Sequence, residues 1–324
     1  MKVMVTGGAG YVGSFAVRLL ADAGHEVVVF DSLERGHEAA VDPRAKLVIG
    51  DLRRADDIRS AMLDHLPDAV MHFAAYAYVG ESMNEPLRYF DNNVGGGIHL
   101  VDAMAAAGVG RIIFSSTCAT YGEPERTPIS EESEQHPTNP YGDTKLCLER
   151  LLSWQQKTAD FRPTFLRYFN ACGAWDHLGE DHDPETHIIP LLLQVALGQR
   201  EHFRVFGDDY ETPDGTCIRD YIHVRDLAQA HLLALESDAL GAFNLGTGRG
   251  YSVKEVIEAA REVTGHAIPI SIAQRREGDP PRLVADARKA RDTLGWAPSF
   301  TQIETILADA WRWHRDHQHG YLGI

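Results

Sequence analysis

Tyr141 and Lys145 stand four positions apart in Tyr141-Gly142-Asp143-Thr144-Lys145. On a helix this spacing puts a phenol and an ammonium on one face, one turn apart. A phenol with its ordinary pKa of about 10 is a poor base at neutral pH, but neighbouring positive charge favours the ionised form. Such a pair can remove a proton from an alcohol while the alcohol carbon gives up its hydrogen as hydride. Upstream, Ser115-Ser116-Thr117 closes an apolar run, and the hydroxyl of Thr117 can bridge the tyrosine and an alcohol substrate.

Hydride needs an acceptor, and the N-terminal segment supplies a place for one. Thr6-Gly7-Gly8-Ala9-Gly10-Tyr11-Val12-Gly13 follows a β-branched run and opens a helical pattern. Gly7 permits the sharp turn, Gly10 lets backbone approach a pyrophosphate, and Gly13 lets helix pack on strand. The helix amides and dipole then hold the negative charge. The next apolar run, Val27-Val28-Val29-Phe30, ends at Asp31. A carboxylate there accepts both ribose hydroxyls of an adenosine and repels a 2′-phosphate, which favours NAD over NADP. Asp51, in Gly50-Asp51-Leu52, could meet an adenine amino group or cap a helix.

These residues need strands and helices to hold them. Continuous apolar runs at 3–6, 26–30, 46–49, 69–73, 111–115 and 164–169 read as strands buried on both faces. Helical patterns at 13–23, 55–63, 95–107 and 141–156 lie between them. The alternation implies βαβ units, an α/β fold with a doubly wound parallel Rossmann sheet. After Asn170 the rhythm changes. Residues 172–187 are rich in Asp, Glu, His and Gly and read as a long loop. Helices at 189–198, 224–236, 252–264 and 300–318 and a strand at 242–245 follow. The expected organisation is an NAD-binding domain over 1–170 and a smaller C-terminal α/β substrate domain over 171–324, with some chain crossing between the two.

Composition narrows the partners. Lys plus Arg is 31 and Asp plus Glu is 47, and 31 − 47 gives −16 over 324 residues. That balance argues against nucleic acid or an anionic membrane. A phosphorylated ligand therefore requires arginines and backbone amides gathered at its site. Cys118, Cys147, Cys172 and Cys217 form no C-x-x-C pair, so neither a disulfide framework nor a cysteine zinc site is expected. No run approaches the roughly 20 apolar residues of a membrane span. A soluble, cytoplasmic protein is expected. His177, Glu180, Asp181, His182, Asp183 and His187 could ligate a metal, but a solvated loop is the expectation and no metal is assigned.

Further segments extend the pattern: His72-Phe73-Ala74-Ala75, Gly80-Glu81-Ser82, Asp91-Asn92-Asn93-Val94, Arg167-Tyr168-Phe169-Asn170, Phe206-Gly207-Asp208-Asp209-Tyr210, Arg219-Asp220-Tyr221-Ile222-His223-Val224 and Gly278-Asp279. Over nearly its whole length the chain resembles the extended short-chain dehydrogenase/reductase family, and within it the UDP-glucose 4-epimerases. The glycine loop and the Tyr/Lys pair specify only the superfamily; 219–224 with 206–210 is more specific. The resemblance implies a bound NAD, proton removal from sugar O4 by Tyr141, hydride transfer from C4, and return of the hydride to the opposite face of a 4-keto sugar that has turned over.

It also implies roles. Tyr11 and Val12 lie at the pyrophosphate, with Asp31, Ser32, Asp51, Leu52, Phe73, Ala74 and Ala75 on the adenosine side and Asn93 in support. Ser115, Lys145 and Tyr168 lie near the nicotinamide. For a UDP-sugar, Arg219 and Arg276 meet the diphosphate, as fork-shaped charged donors should. Phe206 holds uracil, Asp279 a ribose hydroxyl, and Asn170 the diphosphate or sugar. A homodimer through the helices at 95–107 and 141–156 is implied too. The chain departs from the family at three places. Ala77 stands where some members carry a cofactor-contacting lysine, so that contact is lost or replaced, and His187 stands where asparagine is frequent and is expected to donate to the substrate's phosphate. Leu283 stands where some have a bulky tyrosine, which leaves room for an N-acetylated hexose. The rivals are a 4,6-dehydratase or decarboxylase and a non-catalytic NAD-sensing protein. A dehydratase needs a carboxylate after the threonine, where this chain has Cys118-Ala119, and a sensor tends to lose the Tyr/Lys pair.

Overall fold

The computed structural model describes residues 1–276 and 279–323; Gly278, named above, lies outside them. Strands β1 (Lys2–Thr6), β2 (Glu26–Asp31), β3 (Lys46–Ile49), β4 (Ala69–His72), β5 (Arg111–Thr117) and β6 (Arg162–Tyr168) are interleaved with helices. The helices are α1 (Tyr11–Asp22), α2 (Ala55–His65), α3 (Val79–Asn84), α4 (Pro86–Tyr89), α5 (Gly96–Ala107) and α6 (Pro140–Thr158). Next come β7 (Asn170–Cys172), α7 (Ile188–Ala196), β8 (Phe203–Phe206), β9 (Ile218–His223), α8 (Val224–Glu236) and β10 (Gly241–Leu245). The chain ends with β11 (Gly250–Ser252), α9 (Val253–Thr264), β12 (Ile270–Ala273), β13 (Arg282–Leu283), α10 (Arg288–Leu294) and α11 (Ile303–Asp316). Among the described residues, no helix is long and apolar enough to cross a membrane.

Seven strands form one parallel sheet in the order β10-β6-β5-β4-β1-β2-β3. Side chains alternate faces along a strand, so a strand apolar at every position must be covered twice. Val3, Val5, Val27 and Val29 pack under Phe15 and Leu20 of α1 and Leu227 of α8. Their neighbours Met4, Val28 and Phe30 pack the other way, with Ile58 and Met62 of α2, Leu100 and Met104 of α5, and Leu148 and Leu152 of α6. The strand order reverses between β1 and β4, which opens a crevice at the carboxyl edge of the sheet.

The chain crosses back after β9. Strand β10 pairs in parallel with β6, Phe243 opposite Leu166, and α8 packs on α1 within the same apolar cluster. The remainder is a smaller unit. Helices α7, α9 and α11 and the parallel pair β8–β12 surround Leu192, Val205, Val256 and Leu307. Strands β7, β9, β11 and β13 form a short second sheet beside the crevice.

Candidate active site

The turn after β1 is built as its spacing demands. Gly7 has φ +75, and a Cβ there would lie 2.4 Å from the backbone nitrogen of Ala74. A Cβ on Gly13 would lie 2.1 Å from the carbonyl oxygen of Gly7. Gly10 is different: its nearest neighbour would be that same oxygen at 3.4 Å, and the space beyond is open. Among the described residues, α1 has no side-chain cap and no acidic residue in its first turn. Its first amides are therefore free to bind an anion. Asp31 accepts hydrogen bonds from the amides of Ala9 (2.9 Å) and Leu33 (2.9 Å), and burial raises its carboxyl above the ordinary range. The turn and the carboxylate thus form one rigid cradle that fits a dinucleotide: open backbone for pyrophosphate, and an acceptor for ribose.

A cavity of about 930 Å³ runs from this turn to the smaller unit. It brings together Gly7, Gly10, Tyr11, Val12, Asp31, Ser32, Asp51, Leu52, Phe73, Ala74, Ala75, Thr117, Tyr141 and Tyr168 from the first part of the chain. Asn170, His187, Phe206, Arg219, Arg276, Asp279 and Leu283 line it from the second. Asp51 is not a helix cap, because α2 begins after Arg54. Instead it accepts from the amide and guanidinium of Arg53, which holds its carboxyl low.

Three of the candidate residues sit behind the cavity wall. Asn93 is 1% exposed and braces its neighbours: it accepts from the Tyr76 amide (2.8 Å) and donates to the Tyr76 carbonyl (3.0 Å) and Thr144 Oγ1 (3.0 Å). It lies in a π-helical turn, Phe90–Gly95, that leads into α5. Ser115 exchanges a hydrogen bond with the Tyr168 hydroxyl at 2.7 Å. Lys145 donates to the Ser115 carbonyl at 2.8 Å. Burial lowers the Lys145 ammonium to about 7.

Tyr141 is nearly buried, and that burial pushes its phenol well up, with a hydrogen bond from Thr117 opposing the shift. The Lys145 nitrogen lies 6.0 Å from the centre of its ring. Below them, Glu149 and Arg167 form a buried ion pair at 2.5 Å that also takes in Ser116 and Tyr121. The pair ties α6 to β5 and β6, and so fixes Tyr141 against Thr117. Cys118 follows where a dehydratase would carry an acid; burial raises its thiol to about 12, so it stays protonated.

Across the cavity, Arg219 is buried and donates to Asp279 at 2.5 Å and to the Ile218 carbonyl at 2.9 Å. Arg276 lies over the ring of Phe206 at 4.1 Å. Leu283 is 9% exposed and packs with Cys118 and Phe169. His187 is not a lone donor. Its Nδ1 lies 2.9 Å from Glu180 and 2.9 Å from Glu185; burial opposes its charge, but these carboxylates prevail and raise the imidazolium to about 10.

Sequence reasoning missed Glu34, Arg35, Tyr76, Tyr78 and Asn92, all of which line the cavity. Arg35 bonds Glu81 at 2.7 Å and lies 4.5 Å over Tyr78. A basic residue four positions beyond the strand-end aspartate was the signal available for it. The 172–187 stretch also departs from a solvated loop: Glu180 is buried, and Glu185, outside the original set, joins it with His182 and His187.

A buried phenol, a hydroxyl and an amine thus adjoin a dinucleotide cradle, with two arginines opposite. Residues 3–246 match the NAD dependent epimerase/dehydratase family. A UDP-glucose 4-epimerase of Halalkalibacterium halodurans is 50% identical, over 99% of this chain and 98% of the relative. The solved structure of UDP-glucose 4-epimerase from Brucella ovis in complex with NAD is 48% identical with a TM-score of 0.92, covering 96% of this chain and 97% of that one. The structure from Bifidobacterium longum in complex with NAD+ and UDP is 37% identical with a TM-score of 0.95, covering 99% and 100%.

Proposed function

The chain belongs to the NAD dependent epimerase/dehydratase family, and from that premise we propose how its residues carry out NAD-dependent 4-epimerisation of UDP-hexoses. The observation that carries the reading is one continuous cavity holding the glycine turn, the Tyr141–Thr117 pair and the Arg219–Arg276 side. Gly7, Gly10, Tyr11 and Val12 hold the pyrophosphate of NAD, Asp31 its adenosine ribose, and Tyr168 the nicotinamide end. NAD held there would supply the acceptor, and then the donor, for the sugar C4 hydrogen and its electron pair.

Everything else falls to the protein. Arg219 and Arg276 supply the positive charge that a chain of net charge −16 must gather for a diphosphate. Phe206 and Asp279 hold uridine, so the hexose is the less constrained end and can turn over. Thr117 steers the sugar O4 toward Tyr141, which takes the O4 proton and then gives it back. The chain alone keeps that phenol protonated. Charged Lys145 and the positive nicotinamide ring together favour phenolate. Lys145 reaches the ring electrostatically and props Ser115. Asn93 acts as a strut between Tyr76 and Thr144 rather than as a ligand.

Leu283 leaves the sugar pocket open enough for an N-acetylated hexose as well. Residues 1–170 carry NAD and 171–324 the UDP-sugar, with α8 and β10 returning to the first unit. The four free cysteines suit a reducing cytoplasm. Two copies pair through α5 and α6, which expose Ile98 (49%) and Trp154 (63%). The direct test is to incubate the purified protein with UDP-galactose, assay UDP-glucose, and release bound dinucleotide by denaturation. Conversion is expected. Retained NAD without conversion would instead favour a non-catalytic NAD-binding protein.

A further inference from the structure

Glu180, His182, Glu185 and His187 converge at the start of α7, each offering one ligand atom, with all four atoms within 4.8 Å of one another. The separations are 3.2 Å (Glu180 Oε1 to His182 Nδ1), 3.8 Å (His182 Nδ1 to Glu185 Oε2), and 2.9 Å from His187 Nδ1 to Glu180 Oε1 and to Glu185 Oε1. A tetrahedral zinc with bonds of about 2.0–2.2 Å sets its ligand atoms about 3.4 Å apart. The observed spread brackets that edge length.

A second feature points the same way. His182 Nδ1 is buried and makes no hydrogen bond among the described residues, although Glu180 Oε1 lies 3.2 Å away. The two groups are close but do not point at each other as donor and acceptor would. Glu185 is fixed by backbone: its Oε1 accepts from the amides of Thr186 (2.6 Å) and His187 (2.7 Å) and lies 2.9 Å from His187 Nδ1, while Oε2 faces His182 at 3.8 Å. Backbone support of that kind is what fixes a ligating carboxylate.

We propose that these four residues bind a divalent transition-metal ion, zinc by ligand type, as a structural site that pins the 173–187 segment beside the cavity. Two imidazoles disfavour magnesium or calcium, which take all-oxygen shells. Two carboxylates with two neutral imidazoles balance the ion's charge. Four protein ligands leave no open position, which marks a structural rather than a catalytic site. The bracing has a target: His182 meets the rings of Tyr11 (6.0 Å) and Tyr78 (5.6 Å) edge-on, and the Tyr11 hydroxyl donates to the Gly173 carbonyl at 2.6 Å. The ion would thereby stiffen the wall next to the glycine turn, and it would occupy His187 Nδ1. This inference does not depend on the sugar chemistry.

The test uses whole protein purified without a metal-affinity tag or chelator. Elemental analysis should find one zinc per chain. After chelation, titration with Co2+ should develop the visible bands of tetrahedral cobalt at one equivalent, and one equivalent of Zn2+ should erase them. His182→Ala and Glu185→Gln should weaken Co2+ binding by about tenfold or more, with circular dichroism checking the fold of each variant. No zinc in the purified protein together with no cobalt bands would overturn the proposal. So would variants that fold and bind Co2+ like the parent, which would mean that the ion sits elsewhere.

Discussion

Replacing Tyr141 with phenylalanine removes one oxygen and little else. Tyr141 is 8% exposed, and Thr117 is the hydroxyl beside it that opposes the rise of its phenol. General acid–base catalysis contributes about 10²–10⁴-fold, or about 2.7–5.4 kcal/mol. Tyr141 itself is nearly buried, so the upper half of that range applies. Epimerisation should fall at least about 1,000-fold, about 4 kcal/mol. Stability should hardly change: a lost hydrogen bond of about 1 kcal/mol is offset by relief of the buried hydroxyl. At about 2.1 cal/mol/K per residue, 324 residues give roughly 0.7 kcal/mol/K, so even an uncompensated loss moves Tm by about 1–2 °C. The assay is conversion of UDP-galactose to UDP-glucose, with a melt and a released-NAD measurement on the same preparation. A variant within tenfold of the parent, equally stable and equally loaded with NAD, would refute the role given to Tyr141.

The glycine turn separates two effects. Gly10→Ala meets only open space, so Tm should hold while NAD affinity drops about tenfold or more, because the new methyl projects toward the pyrophosphate. Gly13→Ala collides with the Gly7 carbonyl and should cost about 1–3 kcal/mol of stability as well; equal melts for the two variants would contradict this. Leu283→Tyr should lower kcat/KM for UDP-N-acetylglucosamine about 30-fold, about 2 kcal/mol, and change UDP-glucose turnover only a few-fold; equal losses on both sugars would remove Leu283 as the gate. Lys145 has a folded pKa of about 7 against an unfolded value of about 10.4, so between those values the unfolded chain binds the extra proton and stability rises with pH. Lys145→Met should therefore be more stable than the parent below about pH 7, by on the order of a few kcal/mol. That advantage should shrink toward pH 10, and denaturant titrations showing a constant difference would contradict the assignment.

How much of this was legible beforehand depended on whether burial left a period in the sequence. β1, β2 and β4 to β6 bury apolar residues on both faces, and their runs announced them; β3 gave the same signal but lies at the sheet edge and is not buried on both faces, with Ile49 66% exposed. β9 did not: Asp220 sits inside it with no exposure, yet its carboxylate is satisfied by the amides of Thr247, Gly248 and Ala285. A charged residue in a buried strand gives no apolar signal, because its partners come from 27 to 65 residues away. Asn93 was legible only as a support, not in what it supports. Its motif places it beside the cofactor side of the cavity, but only the π-helical turn reveals that its amide faces Tyr76 and Thr144. The Glu180–His187 cluster needed a folded loop to bring Glu180, His182, Glu185 and His187 together, and no spacing rule for a strand or helix describes that.

One isotope measurement tests the central claim most directly. UDP-glucose carrying deuterium at C4 is converted in ordinary water, and the UDP-galactose formed is analysed for label. If hydride leaves C4 and returns to it within the cavity, the product keeps the deuterium at C4 and gains no solvent hydrogen there. Loss of the label to water would mean that C4 is inverted by proton exchange, and the account of Tyr141 working beside NAD would fail.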